Sequence, residues 1–322
     1  MLDRILTVRV SRIRHETPEI SAFELTHARG QALPGFSAGA HIDVHLPGGF
    51  MRQYSLAQAT PQADACERYV LGVKREPLSR GGSQAMHQRV GVGDLLAVSA
   101  PRNTFPLHPQ ARRHLLLAGG IGMTPLLAMA QQLAHDGADF QLCVFARSRE
   151  HLAFAEALAD PALAPHVRLH FDAADAVEKI DLRALLASHA AGTHLYLCGP
   201  AGFMQAVRLA AAHWPDNCVH LEYFAPPQGD ADAGANEAFT LHLAQRGISV
   251  EVAADQSAVQ ALHDLGLDVA TSCEQGICGT CVVGYSNGEP EHRNFCLSAT
   301  ERTKKMALCC SRAKSGTITI DL

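Results

Sequence analysis

Charge of one sign and long apolar runs are what this 322-residue sequence has least of. Lys and Arg number 27 against 32 Asp and Glu, a net charge of −5, so no basic field for nucleic acid or an anionic membrane is present. The uncharged stretch 115–130 is short for a spanning helix and is broken by Gly119, Gly120, Gly122 and Pro125, which excludes a transmembrane reading. Near the start, Leu6, Val8 and Val10 alternate with Thr7, Arg9 and Ser11, the period of a strand rather than the apolar core of a signal peptide; the expected location is the cytoplasm. Internal repeats and low-complexity tracts are absent, and 47% hydrophobic with 18% charged residues describes a globular chain.

What is there falls into three textures. Residues 1–107 carry short alternating runs between Gly and Pro, as in AHIDVHLPGG, RYVLGVKRE and GDLLAVSAP, which predict an antiparallel barrel or sandwich. Over 108–228 apolar strands alternate with helical segments (HLLLA, LLAMAQQLAHDG, DFQLCVFAR, VRLHFDA, THLYLCGP), the pattern of a parallel sheet with crossover helices. A small polar linker at 226–234 leads into 229–322, an α+β module with strands FTLHLA, ISVEVA and GTITIDL and a helix entered at Asp255 or Ser257.

The ten cysteines are unevenly spread. Cys66, Cys143, Cys198 and Cys218 are dispersed, whereas six fall between 273 and 310, which points to metal or catalysis rather than a disulfide framework. Cys273, Cys278 and Cys281 form C-x4-C-x2-C, the spacing of a plant-type 2Fe-2S cluster, with Cys309 and Cys310 as alternatives for the distant fourth ligand. Cys273 and Cys278 would serve one iron, Cys281 and the distant cysteine the other; Gly276 and Gly279 let backbone amides approach the sulfides. A zinc site, which typically uses C-x2-C pairs, and a set of buried thiols are the alternatives. Cys296 reads as a packed thiol.

With EHRN and CCSRAKS following it, this loop resembles the ferredoxin domain of the phthalate dioxygenase reductase and vanillate O-demethylase reductase family, and the resemblance extends over essentially the whole chain in the same domain order. It implies a multidomain protein: an antiparallel β-barrel flavin domain, an α/β parallel-sheet NAD domain and an α+β, β-grasp ferredoxin domain. The fourth ligand it implies is Cys309, the cysteine before x-S-R-A.

The other motifs suit that reading chemically. In Arg52-Gln53-Tyr54-Ser55-Leu56, an Arg for a phosphate, a Tyr ring for the flavin and a Ser hydroxyl near its N5 sit together; alone the motif is an ordinary strand. Ser79-Arg80-Gly81-Gly82-Ser83 precedes a helical segment and reads as a phosphate site or a flexible turn. The resemblance assigns Arg52, Tyr54 and Ser55 to the flavin, Val73 and Lys74 to the strand beside it and Arg80, Gly81, Gly82 and Ser83 to its phosphate; it implies FMN, while the residues leave FAD open.

Gly119-Gly120-Ile121-Gly122-Met123-Thr124-Pro125 joins a strand to a helix, where a pyrophosphate can approach closely; it is not G-x-G-x-x-G, which disfavours an ordinary Rossmann dehydrogenase. Cys198-Gly199-Pro200 also ends a strand, and the resemblance places Cys198 beside the nicotinamide and Phe224, in Glu222-Tyr223-Phe224, near the flavin. The family prefers NADH, yet Arg147, Ser148 and Arg149 could meet a 2′-phosphate or equally form a solvated loop.

The implied activity is that of a reductase component, taking hydride from NADH to flavin and passing single electrons through the 2Fe-2S cluster to a separate Rieske-type oxygenase acting on an aromatic acid such as phthalate or vanillate. No Rieske C-x-H…C-x2-H pattern occurs in this chain. No acid–base pair or nucleophile is evident, and the eighteen His show no ligand spacing. A free-standing NADH-dependent reductase of quinone, ferric or carrier-protein acceptors and a zinc scaffold are the rival readings. A monomer is expected.

Overall fold

The computed structural model describes residues 5–60, 65–77, 81–173, 179–225, 236–314 and 316–322. The chain divides into two compact units, 1–222 and 223–322. The linker read at 226–234 and Arg80 lie outside the described residues.

In the first unit six antiparallel strands follow the order Phe50–Ser55, Ala40–Leu46, Leu95–Ser99, Ile5–His15, Ile20–His27 and Arg68–Lys74. A bridge between Leu56 and Leu71 joins the two outer strands and closes the sheet into a barrel. Alternation drives this closure. Leu6, Val8 and Val10 point inward with Phe23, Leu25, Ile42, Val44, Leu71 and Val98, while the residues between them face out. A closed sheet has no free edge.

The second sheet of this unit is parallel, in the order Val167–Phe171, Asp139–Ala146, Arg113–Gly119, Thr193–Cys198 and Val219–Glu222. Its central strands read as continuous apolar runs because both faces are covered. Between Arg113–Gly119 and Thr193–Cys198 the strand order reverses direction, and there the ends of two strands leave a crevice for ligands. Helix Met123–His135 covers one face, with Leu126, Leu127, Met129, Ala130 and Leu133 buried. The same apolar cluster takes in Ile20, Ala22, Ala57 and Val70 from the barrel side, so the two sheets share a core.

At the opposite, N-terminal ends of the parallel strands the fold gathers histidines that are far apart in sequence. His194 Nδ1 and His220 Nε2 lie 2.9 Å apart, and the His108 ring stacks on His194 at 4.4 Å. Tyr196 stacks on both His220 and His114, and its hydroxyl accepts from the His108 amide. Parallel pairing of three strands places these rings side by side, an arrangement that spacing along the chain does not reveal.

The second unit holds a five-stranded mixed sheet in the order Ile248–Val252, Phe239–Leu243, Thr317–Ile320, Val282–Asn287 and Lys305–Ala307. Helix Ala258–Asp264 lays Ala258, Val259, Ala261 and Leu262 on it. Of the two entry points considered, Ser257 is the cap: its hydroxyl accepts from the Gln260 amide, and the Gln260 side chain accepts from the Ser257 amide.

Burial lowers the His220 pKa from its ordinary 6.5 to about 4, helped by the neighbouring His194, His108 and His114. Below pH 6.5 the unfolded chain therefore takes up a proton that the folded chain refuses. Measured as a difference in urea unfolding free energy, wild type should lose stability relative to His220→Phe as pH drops from about 6.5 to about 4; a pH-independent difference would refute a role for this ring.

Candidate functional site

Two loops meet at the switch point of the parallel sheet. Ala118 pairs with Cys198, so Gly119 and Gly199 continue side by side. A Cβ on Gly122 would sit 2.2 Å from the Cys198 carbonyl oxygen, and one on Gly199 would lie 2.7 Å from the Phe203 ring. Neither position admits a side chain. Gly120, at φ +53°, turns the chain into helix Met123–His135. Thr124 is 1% exposed, donates to the Ile121 carbonyl at 3.2 Å and packs where a Cβ on Gly72 of the barrel would fall 2.5 Å away.

Ser55, the buried last residue of strand Phe50–Ser55, donates to Glu222 Oε2 at 3.1 Å. Glu222 ends strand Val219–Glu222 and stands opposite Cys198 in the sheet register. The fold thus brings together the serine of one motif, the cysteine of another and a carboxyl belonging to neither. Burial pushes the Glu222 carboxyl up to about 8, with the Ser55 hydrogen bond holding it back. The fully buried Cys198 thiol is pushed well above its ordinary range by burial and then by Glu222, which argues against a thiolate nucleophile. An acid at the C-terminal end of a parallel strand was the sequence signal for Glu222.

Around the barrel end of this site, the stem of Arg52 lies where a Cβ on Gly82 would sit (2.5 Å), and its guanidinium lies over the Phe50 ring at 5.5 Å. Gly81, at φ +89°, is closed off by the same Phe50 ring. Tyr54 is half-buried, and burial raises its phenol pKa. The Val73 carbonyl is 2.9 Å from His87 Nε2, Lys74 pairs with Glu76 at 2.7 Å, and Ser83 accepts from the Glu76 amide.

Helix N-termini distinguish the site. Helices Gly82–Arg89, Met123–His135 and Ala201–Ala210, the last led by Pro200, have no side-chain cap and no acid in the first turn. By contrast Asp181, Ser257 and Ser298 cap their helices with side-chain oxygens. Uncapped amides facing glycine loops suit phosphate groups, so the residues fit a flavin phosphate beside Arg52 and a dinucleotide pyrophosphate at 119–122.

In the second unit the cysteine loop turns at Gly276 (φ +73°) and Gly279 (φ +77°). The Gln275 and Thr280 amides donate to Cys273 Sγ at 3.3 Å and Cys278 Sγ at 3.5 Å. Cys278 lies beside Cys273, which lowers its pKa, and Cys309 lies beside both Cys281 and Cys310. Among the described residues no three His, Cys, Asp or Glu side chains converge on a single ion position. Cys273, Cys278 and Cys281 on one loop with Cys309 and Cys310 nearby supply enough sulfur for a 2Fe-2S cluster, which takes four thiolates. Cys310 lies where a Cβ on Gly276 would fall 2.6 Å from its sulfur, and Ser311 has a buried hydroxyl with no partner. Cys296, read as a packed thiol, is half-buried and electrostatically coupled to Cys281 and Cys278. Phe224, also in this unit, is 39% exposed.

Family models match two stretches: residues 98–216 match the N-terminal domain of dimethylamine monooxygenase subunit DmmA-like proteins, and 241–314 match the 2Fe-2S iron-sulfur cluster binding domain. The chain is 46% identical over 323 residues to vanillate O-demethylase oxidoreductase of Pseudomonas sp. strain HR199, covering 99% of this chain and 100% of that protein. The solved phthalate dioxygenase reductase, described as a modular structure for electron transfer from pyridine nucleotides to a 2Fe-2S centre, matches at TM-score 0.72 and 36% identity, over 99% of this chain and 98% of that one. An intact type IV self-sufficient cytochrome P450 monooxygenase matches at TM-score 0.87 and 39% identity, over 99% of this chain; this chain spans only 41% of that longer one.

Barrel, nucleotide sheet and iron–sulfur module define an electron-transfer oxidoreductase. The chain belongs to the family of vanillate O-demethylase oxidoreductase and phthalate dioxygenase reductase.

Because the folded Glu222 keeps its proton to about pH 8 while the unfolded chain releases it near 4.5, the native state loses stability as pH rises across that window. Glu222→Gln keeps an oxygen for the Ser55 hydroxyl and cannot ionise. Relative to this variant, wild type should lose unfolding free energy as pH rises from about 5 to about 8, because the other titrating groups cancel in the difference. Parallel pH profiles would show that Glu222 is ionised in the fold.

Proposed function

We propose that the protein is the NADH-dependent reductase component of a multicomponent oxygenase system, organised as a flavin domain (1–107), a NAD domain (108–228) and a ferredoxin domain (229–322). When bound, the flavin takes the two-electron hydride of NADH and hands electrons singly to the 2Fe-2S cluster. The observation that carries this reading is the meeting of Ser55, Glu222 and Cys198 at the switch point of the nucleotide sheet.

Each residue has a task in that scheme. Arg52, Gly81, Gly82 and Ser83 hold the flavin phosphate at the helix N-terminus, with Arg80 in the same loop, and Tyr54, Val73 and Lys74 border the ring; the flavin is FMN. Gly119, Gly120, Gly122 and Thr124 form the pyrophosphate bed with Gly199 and Pro200. Cys198 supplies a neutral, desolvated surface to the nicotinamide. Ser55 holds its hydroxyl proton toward Glu222 Oε2, and the protonated Glu222 keeps charge out of the crevice. Phe224 is the aromatic that the family resemblance assigns to the flavin. Cys273, Cys278, Cys281 and Cys309 are the cluster ligands.

The acceptor is a Rieske-type oxygenase acting on an aromatic acid. The relatives named for vanillate and phthalate support that class. The reductase works as a cytoplasmic monomer; among the described residues no helix is long and apolar enough to cross a membrane.

Two experiments test the reading. An anaerobic visible spectrum before and after stoichiometric NADH, with iron and released flavin quantified, should show flavin and iron–sulfur absorption bleaching together. Product from an aromatic acid and NADH should appear only when an oxygenase is added; product from the reductase alone would refute the component role. Ligand assignment is tested by iron content: Cys309→Ser should lose most of its iron, whereas Cys310→Ser should retain it. The reverse pattern would move the fourth ligand to Cys310.

A further inference from the structure

The strand Asp139–Ala146 lies beside Arg113–Gly119 and is followed by Arg147-Ser148-Arg149. In dinucleotide-binding sheets the end of this second strand meets the adenosine ribose: an acid there accepts from a 2′-hydroxyl, and an arginine accommodates a 2′-phosphate. Here both arginines are engaged. Arg149 lies over the Phe171 ring at 5.3 Å, and Arg147 Nη2 pairs with Glu19 Oε2 at 2.7 Å.

Glu19 comes from the other sheet, in the turn between strands Ile5–His15 and Ile20–His27. That turn is held in place. Thr17 Oγ1 accepts from the Glu19 and Ile20 amides, the Glu19 carbonyl accepts from the Arg75 amide, and Glu16 accepts from the Phe154 amide at 2.9 Å. On the opposite side, the Arg147 carbonyl accepts from the Ala173 amide. The ion pair therefore joins two positioned backbones, while the side chains of Arg147 and Glu19 remain 61% and 33% exposed. A ligand can reach them.

We propose that Glu19, by holding Arg147 in this ion pair, makes the nucleotide site select an unphosphorylated adenosine ribose, and so NADH over NADPH. The carboxylate offers an acceptor to a 2′-hydroxyl and repels a 2′-phosphate, and it occupies the cation that a phosphate would need. This inference rests on the nicotinamide reading of the crevice.

The test uses the purified holoprotein and two adenosine probes, 5′-AMP and 2′,5′-ADP, with calorimetric dissociation constants. In Glu19→Gln the affinity of 2′,5′-ADP relative to 5′-AMP should rise about tenfold, and the NADPH/NADH ratio of kcat/KM should move the same way. Adding Arg147→Ala should abolish the gain, since the freed guanidinium is its source. An unchanged probe ratio in Glu19→Gln, with NADH still reducing the flavin, overturns the selectivity role alone. Failure of the wild type to bind either probe, or to be reduced by NADH, overturns the nicotinamide reading and the selectivity role with it.

Discussion

At the switch point of the nucleotide sheet Gly122 approaches the Cys198 carbonyl so closely that a side-chain carbon would lie only 2.2 Å away. Two strand-to-helix turns can meet there only because neither carries a side chain at the contact. That meeting fixes where helix Met123–His135 starts, and hence where Thr124 packs against the barrel at Gly72. The shared apolar core then orients barrel and nucleotide sheet so that Ser55 reaches Glu222. A cleft lined by backbone and closed by packing can admit a flat ring and an anionic tail without a dedicated cation for every charge.

Electrostatics in this crevice run against ionisation. Burial raises both Glu222 and Cys198, and each would make the other's charge more costly. A neutral crevice suits transfer of a hydride, because an uncompensated charge beside the reacting rings would oppose movement of another. The cysteine loop follows a different logic: left-handed glycines bend the backbone so that amides face sulfur. Backbone donors there suit thiolates, as uncapped helix ends in the first unit suit phosphates.

Much of the fold was legible because its patterns are local. Alternation marked the barrel strands, continuous apolar runs marked the parallel ones, and C-x4-C-x2-C marked the cluster loop. Glu222 was passed over because a single acid at a strand end has no spacing signature; its meaning comes from Ser55, far away in the chain. The histidine stack escaped for the same reason, since His108, His114, His194 and His220 become neighbours only through strand pairing. Arg147 was visible as a possible phosphate ligand, but its engagement by Glu19 was not.

By itself, the sequence determined the residue types that make each chemistry possible: three thiols at C-x4-C-x2-C spacing with two more near the end of the module, glycines where backbones must touch, and apolar periods that build a barrel and a parallel sheet. Tertiary structure alone decided which of those residues act on one another. The pairing of Cys281 with Cys309, of Ser55 with Glu222 and of Glu19 with Arg147 joins positions from different strands or loops. Hydrogen bonds and ion pairs act over a few ångströms of space, and distance along a chain constrains that separation only within a turn or two of backbone.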